Sequence, residues 1–174
     1  MSLRAGQRLA LHVTASSASG DGIATHGDRE VFVPGAFPGE HVGVRIDAVA
    51  RQRARAFATL EAVHEASPAR RESPCIESAR AGGRCGGCPL ITLEEPAQRE
   101  LKRAMLRVTH GLEVAPLEAP PAELGYRLSA KRIAFGGAGR ARLGSWQRGT
   151  QRPASMAGCV VDHPTLTRAA ASLE

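Results

Sequence analysis

Aromatic residues are nearly missing from this chain of 174: four Phe, one Trp and one Tyr make 3% of it. Stacking surfaces must therefore be few. Lysine is scarce as well, confined to Lys102 and Lys131, so the positive charge is carried by arginine. No apolar run approaches the ~20 residues of a membrane span, and Met1-Ser2-Leu3-Arg4 lacks the apolar core of a signal peptide. These absences predict a cytoplasmic protein with no membrane partner, and in that compartment four cysteines favour a metal over disulfides. A cofactor-binding strand–glycine loop–helix unit is missing too. Gly136-Gly137-Ala138-Gly139 is glycine-rich but falls between two strand-like segments. Cys159, Asp162 and His163 are neighbours in sequence, which is not the spatial geometry of a nucleophilic triad, so no catalytic residue is assigned. No internal repeat is visible.

What is present begins with charge. The formal net charge is +6 and the pI about 9.9, which points to an anionic partner, most often nucleic acid. The four cysteines come next. Nine residues separate Cys75 from Cys85, two separate Cys85 from Cys88, and seventy separate Cys88 from Cys159. A two-residue spacer lets two thiolates reach one metal, and Gly86-Gly87 leaves the backbone free to curl around it. A zinc ribbon would use two close pairs. Three clustered thiolates and a distant fourth suit an iron–sulfur cluster, with a structural zinc as the alternative.

Residues 7–64 read as five short strands. Leu9, Leu11 and Val13 alternate, as do Val42, Val44 and Ile46, and turn-rich breaks separate the runs. This spacing predicts a small closed barrel with Phe32 and Phe37 inside. Ser67–Ser73 reads as a polar linker. Thr92-Leu93-Glu94-Glu95 is a capping-box pattern before a helix that Gly111 ends. Alternation over Tyr126–Phe135 and again over Arg140–Gln147 predicts a β-hairpin, with a third strand over Ala154–Cys159 and a helix from Pro164. The fold class is thus mainly β with α, α+β, with domains at 1–66 and 67–174. The hairpin cations Arg127, Lys131, Arg132, Arg140, Arg142 and Arg148 crowd two adjacent strands and are the expected phosphate contacts, and Trp146 is the expected stacking residue.

Asp21-Gly22-Ile23-Ala24 and Val31-Phe32-Val33-Pro34-Gly35-Ala36-Phe37-Pro38-Gly39-Glu40 resemble a TRAM domain, an OB-like RNA-binding barrel. Pro74-Cys75, Cys85-Gly86-Gly87-Cys88-Pro89-Leu90, Gln98 and Lys102, Tyr126-Arg127, Leu143-Gly144-Ser145-Trp146-Gln147-Arg148 and Cys159-Val160-Val161 continue in order a resemblance to the RNA uracil-5-methyltransferases. The resemblance implies a [4Fe–4S] cluster on Cys75, Cys85, Cys88 and Cys159. It implies ribosomal RNA or tRNA as partner, S-adenosylmethionine as methyl donor of the intact enzyme, and 5-methyluridine as product. The Cys75–Cys85 spacer is longer than the family's usual one, and a Gly82-Gly83 loop is expected to absorb the excess. The family's cofactor-binding and catalytic motifs have no match here. The chain is therefore expected to be an N-terminal portion, a monomer that binds RNA without methylating it. The alternative is a stand-alone TRAM and iron–sulfur RNA-binding module. A radical methylthiotransferase, which also joins TRAM to a cluster, is disfavoured by domain order and cysteine spacing.

Overall fold

The computed structural model describes residues 3–79, 83–137 and 139–173, and these fall into two compact units. The first comprises residues up to Arg70 together with Pro96–Leu117, and the second comprises Arg71–Glu95 and the residues from Glu118 onward.

The first unit is built on strands β1 (Arg8–Ser16), β2 (Gly22–His26), β3 (Arg29–Val33), β4 (His41–Val49) and β5 (Arg55–Glu65). They close in the order β1-β2-β3-β5-β4, with β4 returning to β1 and only β3–β5 parallel. This is the expected barrel. The alternation that predicted it fills the interior: Leu11, Val13, Val31, Val33, Val42, Val44, Ile46 and Ala56 are buried together. Phe37 is buried as expected. Phe32 is not inside. It sits half-buried on the outer surface of β3, because it alternates with the inward Val31 and Val33.

Ser67–Ser73 is not a loose linker. The buried carboxylate of Glu40 accepts hydrogen bonds from the N–H groups of Phe37 (2.9 Å) and Ser67 (3.1 Å). Arg70 meets it in a fork, with Nε donating to Oε1 at 2.6 Å and Nη2 to Oε2 at 2.7 Å. The Arg70 guanidinium also lies over the Phe37 ring, 4.9 Å from its centre. These bonds explain why the compact unit extends past residue 66 to Arg70.

Helix α1 (Glu95–His110) stops at Gly111, whose φ of 66° is the left-handed stop expected there. Its start differs from expectation. Thr92 Oγ1 is buried without a hydrogen-bond partner among the described residues, so the capping box is not made. Its basic face is largely committed: Arg99 and Arg103 donate to the carbonyls of Leu117 (2.6 Å) and Val114 (3.0 Å), and Arg107 pairs with Glu113 at 2.6 Å.

The second unit holds a three-stranded antiparallel sheet of β6 (Ile133–Phe135), β7 (Arg142–Trp146) and β8 (Pro153–Ser155), with helix α2 (Pro164–Ala171) after it. The hairpin is present but shorter than expected. Residues 126–132 are not a strand; Arg127 instead runs beside Asp162 in a single parallel bridge, its N–H donating to Val161 O at 2.8 Å. The third strand ends at Ser155, so Cys159 lies in the turn beyond it. Ala138, inside the expected glycine-rich turn, and Gly82, in the expected spacer loop, lie outside the described residues. Among the described residues no helix is long and apolar enough to cross a membrane.

Candidate metal centre and nucleic-acid interface

Backbone hydrogen bonds shape the cysteine loop. Cys85 N–H donates to Glu77 O at 2.8 Å and its own carbonyl accepts from Ala79 N–H at 2.9 Å, which brings the Cys85 segment back against the Cys75 segment. The Cys159 N–H donates to Met156 O at 3.1 Å, and Asp162 N–H donates to Cys159 O at 3.2 Å. The bridge to Arg127 fixes that turn from the other side. Gly86 and Gly87 are not in the left-handed region. What Gly86 supplies is room: a Cβ there would come within 2.8 Å of Arg148 Cβ. The reason for glycine at 86 is thus close approach rather than backbone freedom.

Cys75, Cys85, Cys88 and Cys159 line one cavity. Ile91, Met156, Val160 and Val161 make its wall apolar, and Arg127 and Glu77 are its charged members. None of the four sulfurs is in a disulfide. Burial first, then the neighbouring Cys159, Cys85 and Cys75, push the Cys88 thiol above its ordinary value of 9.0, with Arg127 pulling the other way. Ser145 Oγ lies 3.7 Å from Cys85 Sγ, so one face of β7 looks onto this site. Among the described residues no three of Cys, His, Asp and Glu stand close enough to grip a single metal ion.

A clamp that the sequence reading missed holds the loop's far end. Arg71 Nε donates to Ile91 O at 3.3 Å, its backbone N–H donates to Thr92 O at 2.9 Å, and its guanidinium forks onto Glu123. No local signal announces it, since Glu123 is 52 residues away.

The expected phosphate contacts separate into two groups. Arg132 is a correction: its side chain is 7% exposed, bonded to the carboxylate of Asp162 and to Met156 O (3.2 Å). A guanidinium in that position serves the interior of its unit. Arg127 is half-buried and faces the cysteines. Lys131, Arg140, Arg142 and Arg148 are exposed, and of these only Arg142 lies within a strand. Trp146 is 52% exposed. Side chains alternate along β7, so Arg142, Gly144 and Trp146 share the face opposite Ser145. Between Arg142 and Trp146, Gly144 has no room for a side chain: a Cβ would collide with Ala154 O and press to 2.8 Å on Phe135. The result is a cation and an indole on the face that turns away from the thiols.

Residues 3–59 match the family model described as TRAM domain. The chain is 32% identical over 174 residues to an uncharacterized RNA methyltransferase of Geobacter sulfurreducens, covering 96% of this chain and 34% of that protein. It is 39% identical over 163 residues to the 23S rRNA (uracil(1939)-C(5))-methyltransferase of Chromohalobacter salexigens, covering 88% and 32%. In fold it is similar to the tRNA (uracil-54, C5)-methyltransferase of Pyrococcus abyssi, solved with S-adenosyl-L-homocysteine, with a TM-score of 0.63 at 23% identity over 94% of this chain and 35% of that one. The chain spans about a third of the length of each of these proteins.

Proposed function

Because the chain is homologous to the RNA methyltransferases and carries a TRAM domain at residues 3–59, we propose that it is the RNA-binding portion of an S-adenosylmethionine-dependent RNA (uracil-5-)-methyltransferase. The intact enzyme makes 5-methyluridine in ribosomal RNA or tRNA in the cytoplasm. This chain, a monomer, supplies RNA binding, and the methyl donor is held elsewhere in the intact enzyme. Names of relatives support the reaction, and the exposed cations and indole of the β7 face support the RNA contact. Arg140, Arg142, Trp146, Arg148 and Lys131 are its residues here. Arg127 and Arg132 have structural duties instead.

One observation carries the proposal: four cysteines spread from residue 75 to residue 159 line a single apolar cavity. Four thiolates there repel one another and require cationic compensation. A lone zinc at ~2.3 Å from each sulfur would draw the thiols tightly together, whereas a [4Fe–4S] cluster offers each thiolate its own iron. Three clustered cysteines and a distant fourth suit the cluster better than they suit a zinc ribbon, which has two close pairs. Cys75, Cys85, Cys88 and Cys159 would hold it, and when bound it supplies a cross-link between the loop and the Cys159 turn. Arg127 offsets part of the negative charge of the thiolates.

The test is metal and sulfide analysis of anaerobically purified protein. About four irons and four sulfides per chain are expected, and Cys88→Ser and Cys159→Ser should each lose the brown colour. A colourless folded chain with one zinc would overturn the assignment.

A further inference from the structure

Two polar side chains stand against the four cysteines: Arg127, which lines their cavity, and Ser145, whose Oγ is 3.7 Å from Cys85 Sγ. Both are held by backbone pairing. Arg127 N–H donates to Val161 O at 2.8 Å, and Arg127 O accepts from His163 N–H at 2.9 Å. Side chains alternate along an extended segment of this kind. Tyr126 and Leu128 therefore turn outward, 55% and 76% exposed, and Arg127 turns inward. Ser145 is fixed within β7, paired with Ala154 of β8.

Arg127 differs from its neighbour Arg132. Arg132 is bonded to Asp162, whereas Arg127 has no carboxylate partner among the described residues. Glu77, the acidic residue of the same lining, makes no ion pair with it. A half-buried guanidinium against a wall of Ile91, Met156, Val160 and Val161 is costly unless an anion fills the space. The Ser145 hydroxyl has two acceptors in reach, Trp146 O at 3.5 Å and Cys85 Sγ at 3.7 Å. Once Cys85 is a thiolate, its charge makes the sulfur the stronger acceptor.

We propose that Arg127 and Ser145 set the reduction potential of the cluster, raising it by holding the negative charge that reduction adds. The inference rests on the cluster reading above and concerns two residues that are not ligands. Four thiolates bring more negative charge than an iron–sulfide core offsets. One-electron reduction adds one further negative charge, with no bond made or broken and no proton moved. Net charge and hydrogen bonds to the sulfurs are what shift the potential of such a centre. A cation facing the thiolates and a hydroxyl donating to one of them both favour the more negative, reduced form. The group is then a one-electron centre that a low-potential donor can reach, as well as a cross-link.

The test is a potentiometric titration of the full chain, purified anaerobically with its cluster. Dithionite supplies the electron, and the EPR signal of the reduced state is the readout. Arg127→Met should shift the equilibrium toward the oxidised form by about tenfold or more, ~59 mV downward for one electron, while Arg127→Lys stays near wild type. Ser145→Ala should shift it the same way by about threefold. Iron and sulfide per chain should be unchanged in all three variants, which separates tuning from loss of a ligand. Ser145→Ala carries a second readout that serves even if Arg127→Met does not assemble: its Fe–S stretching frequencies in resonance Raman should rise as Cys85 loses a hydrogen bond. Wild-type potentials in the loaded variants, with an unchanged Raman spectrum for Ser145→Ala, would overturn the proposal and leave the cluster reading intact. So would a loaded wild-type cluster that dithionite cannot reduce. A wild-type chain without iron and sulfide would bring down both readings.

Discussion

At Glu40 a carboxylate is held where water does not reach, and its partners decide what that does to stability. Burial works against the charge. The Arg70 hydrogen bonds, the N–H groups of Phe37 and Ser67 and the Arg70 charge outweigh it, so the pKa lies below its ordinary value of 4.5. A lowered folded pKa means that the stabilisation is complete above the unfolded value and is lost as pH falls through the folded one. Thermal melts followed by circular dichroism should therefore show Glu40→Gln less stable than wild type at pH 7, with the gap narrowing below about pH 4.5. Arg70→Ala leaves the carboxylate buried and unpaired and should cost about 3–5 kcal/mol at pH 7. Arg132 and Asp162 make the corresponding pair in the other unit, at 7% and 1% exposure. Arg132→Ala should lower the melting temperature of that unit without changing the salt slope of RNA binding. A reduced slope with unchanged stability would return Arg132 to the phosphate-binding set.

At the scale of elements, alternation was a good guide where both faces of a strand have opposite fates. The five barrel strands have an interior and a solvent side, so Val42, Val44 and Ile46 declare themselves in the chain. The segment before β6 alternates as well, yet its partner is the Cys159–His163 turn and not a strand, and that pairing is a tertiary fact with no local signature. The capping box failed similarly: Thr92 belongs to the end of the cysteine loop, where its carbonyl accepts from Arg71, and its hydroxyl never reaches the helix. Phe32 has the residue type of a core position, but its register between the inward Val31 and Val33 puts it on the outside. For β7, the shared face of Arg142 and Trp146 predicts separable effects. Arg140→Ala with Arg142→Ala should flatten the single-strand salt slope by about 1.4, while Trp146→Ala should weaken binding by about 1–3 kcal/mol with the slope unchanged. Equal slopes for all of these variants would make the sheet a structural element alone.

For the whole molecule, the cysteines were the most legible part of the candidate site, because ligand type and spacing are written directly in the chain. The apolar wall from Met156, Val160 and Val161 and the clamp of Arg71 on Glu123 were not, since both bring together residues tens of positions apart. The element that follows β6 in the chain is the strand β7, so β6 is not followed by a strand-to-helix phosphate loop. With labelled S-adenosylmethionine and unmodified RNA, this chain should accordingly transfer no methyl group, and measurable turnover would contradict the division of labour proposed above.

The chain's path between its two units has a consequence in time. The barrel is complete once β5 has been made at Glu65, whereas the cavity needs Cys159, 71 residues after Cys88. At ~5–20 residues per second, Cys75, Cys85 and Cys88 wait roughly 4–14 s on the ribosome as an unfinished set. During that interval three thiols are without their fourth member, open to oxidation to sulfenic acid or to a wrong disulfide. Slower synthesis lengthens that exposure of the three thiols, and higher oxygen tension makes it more damaging.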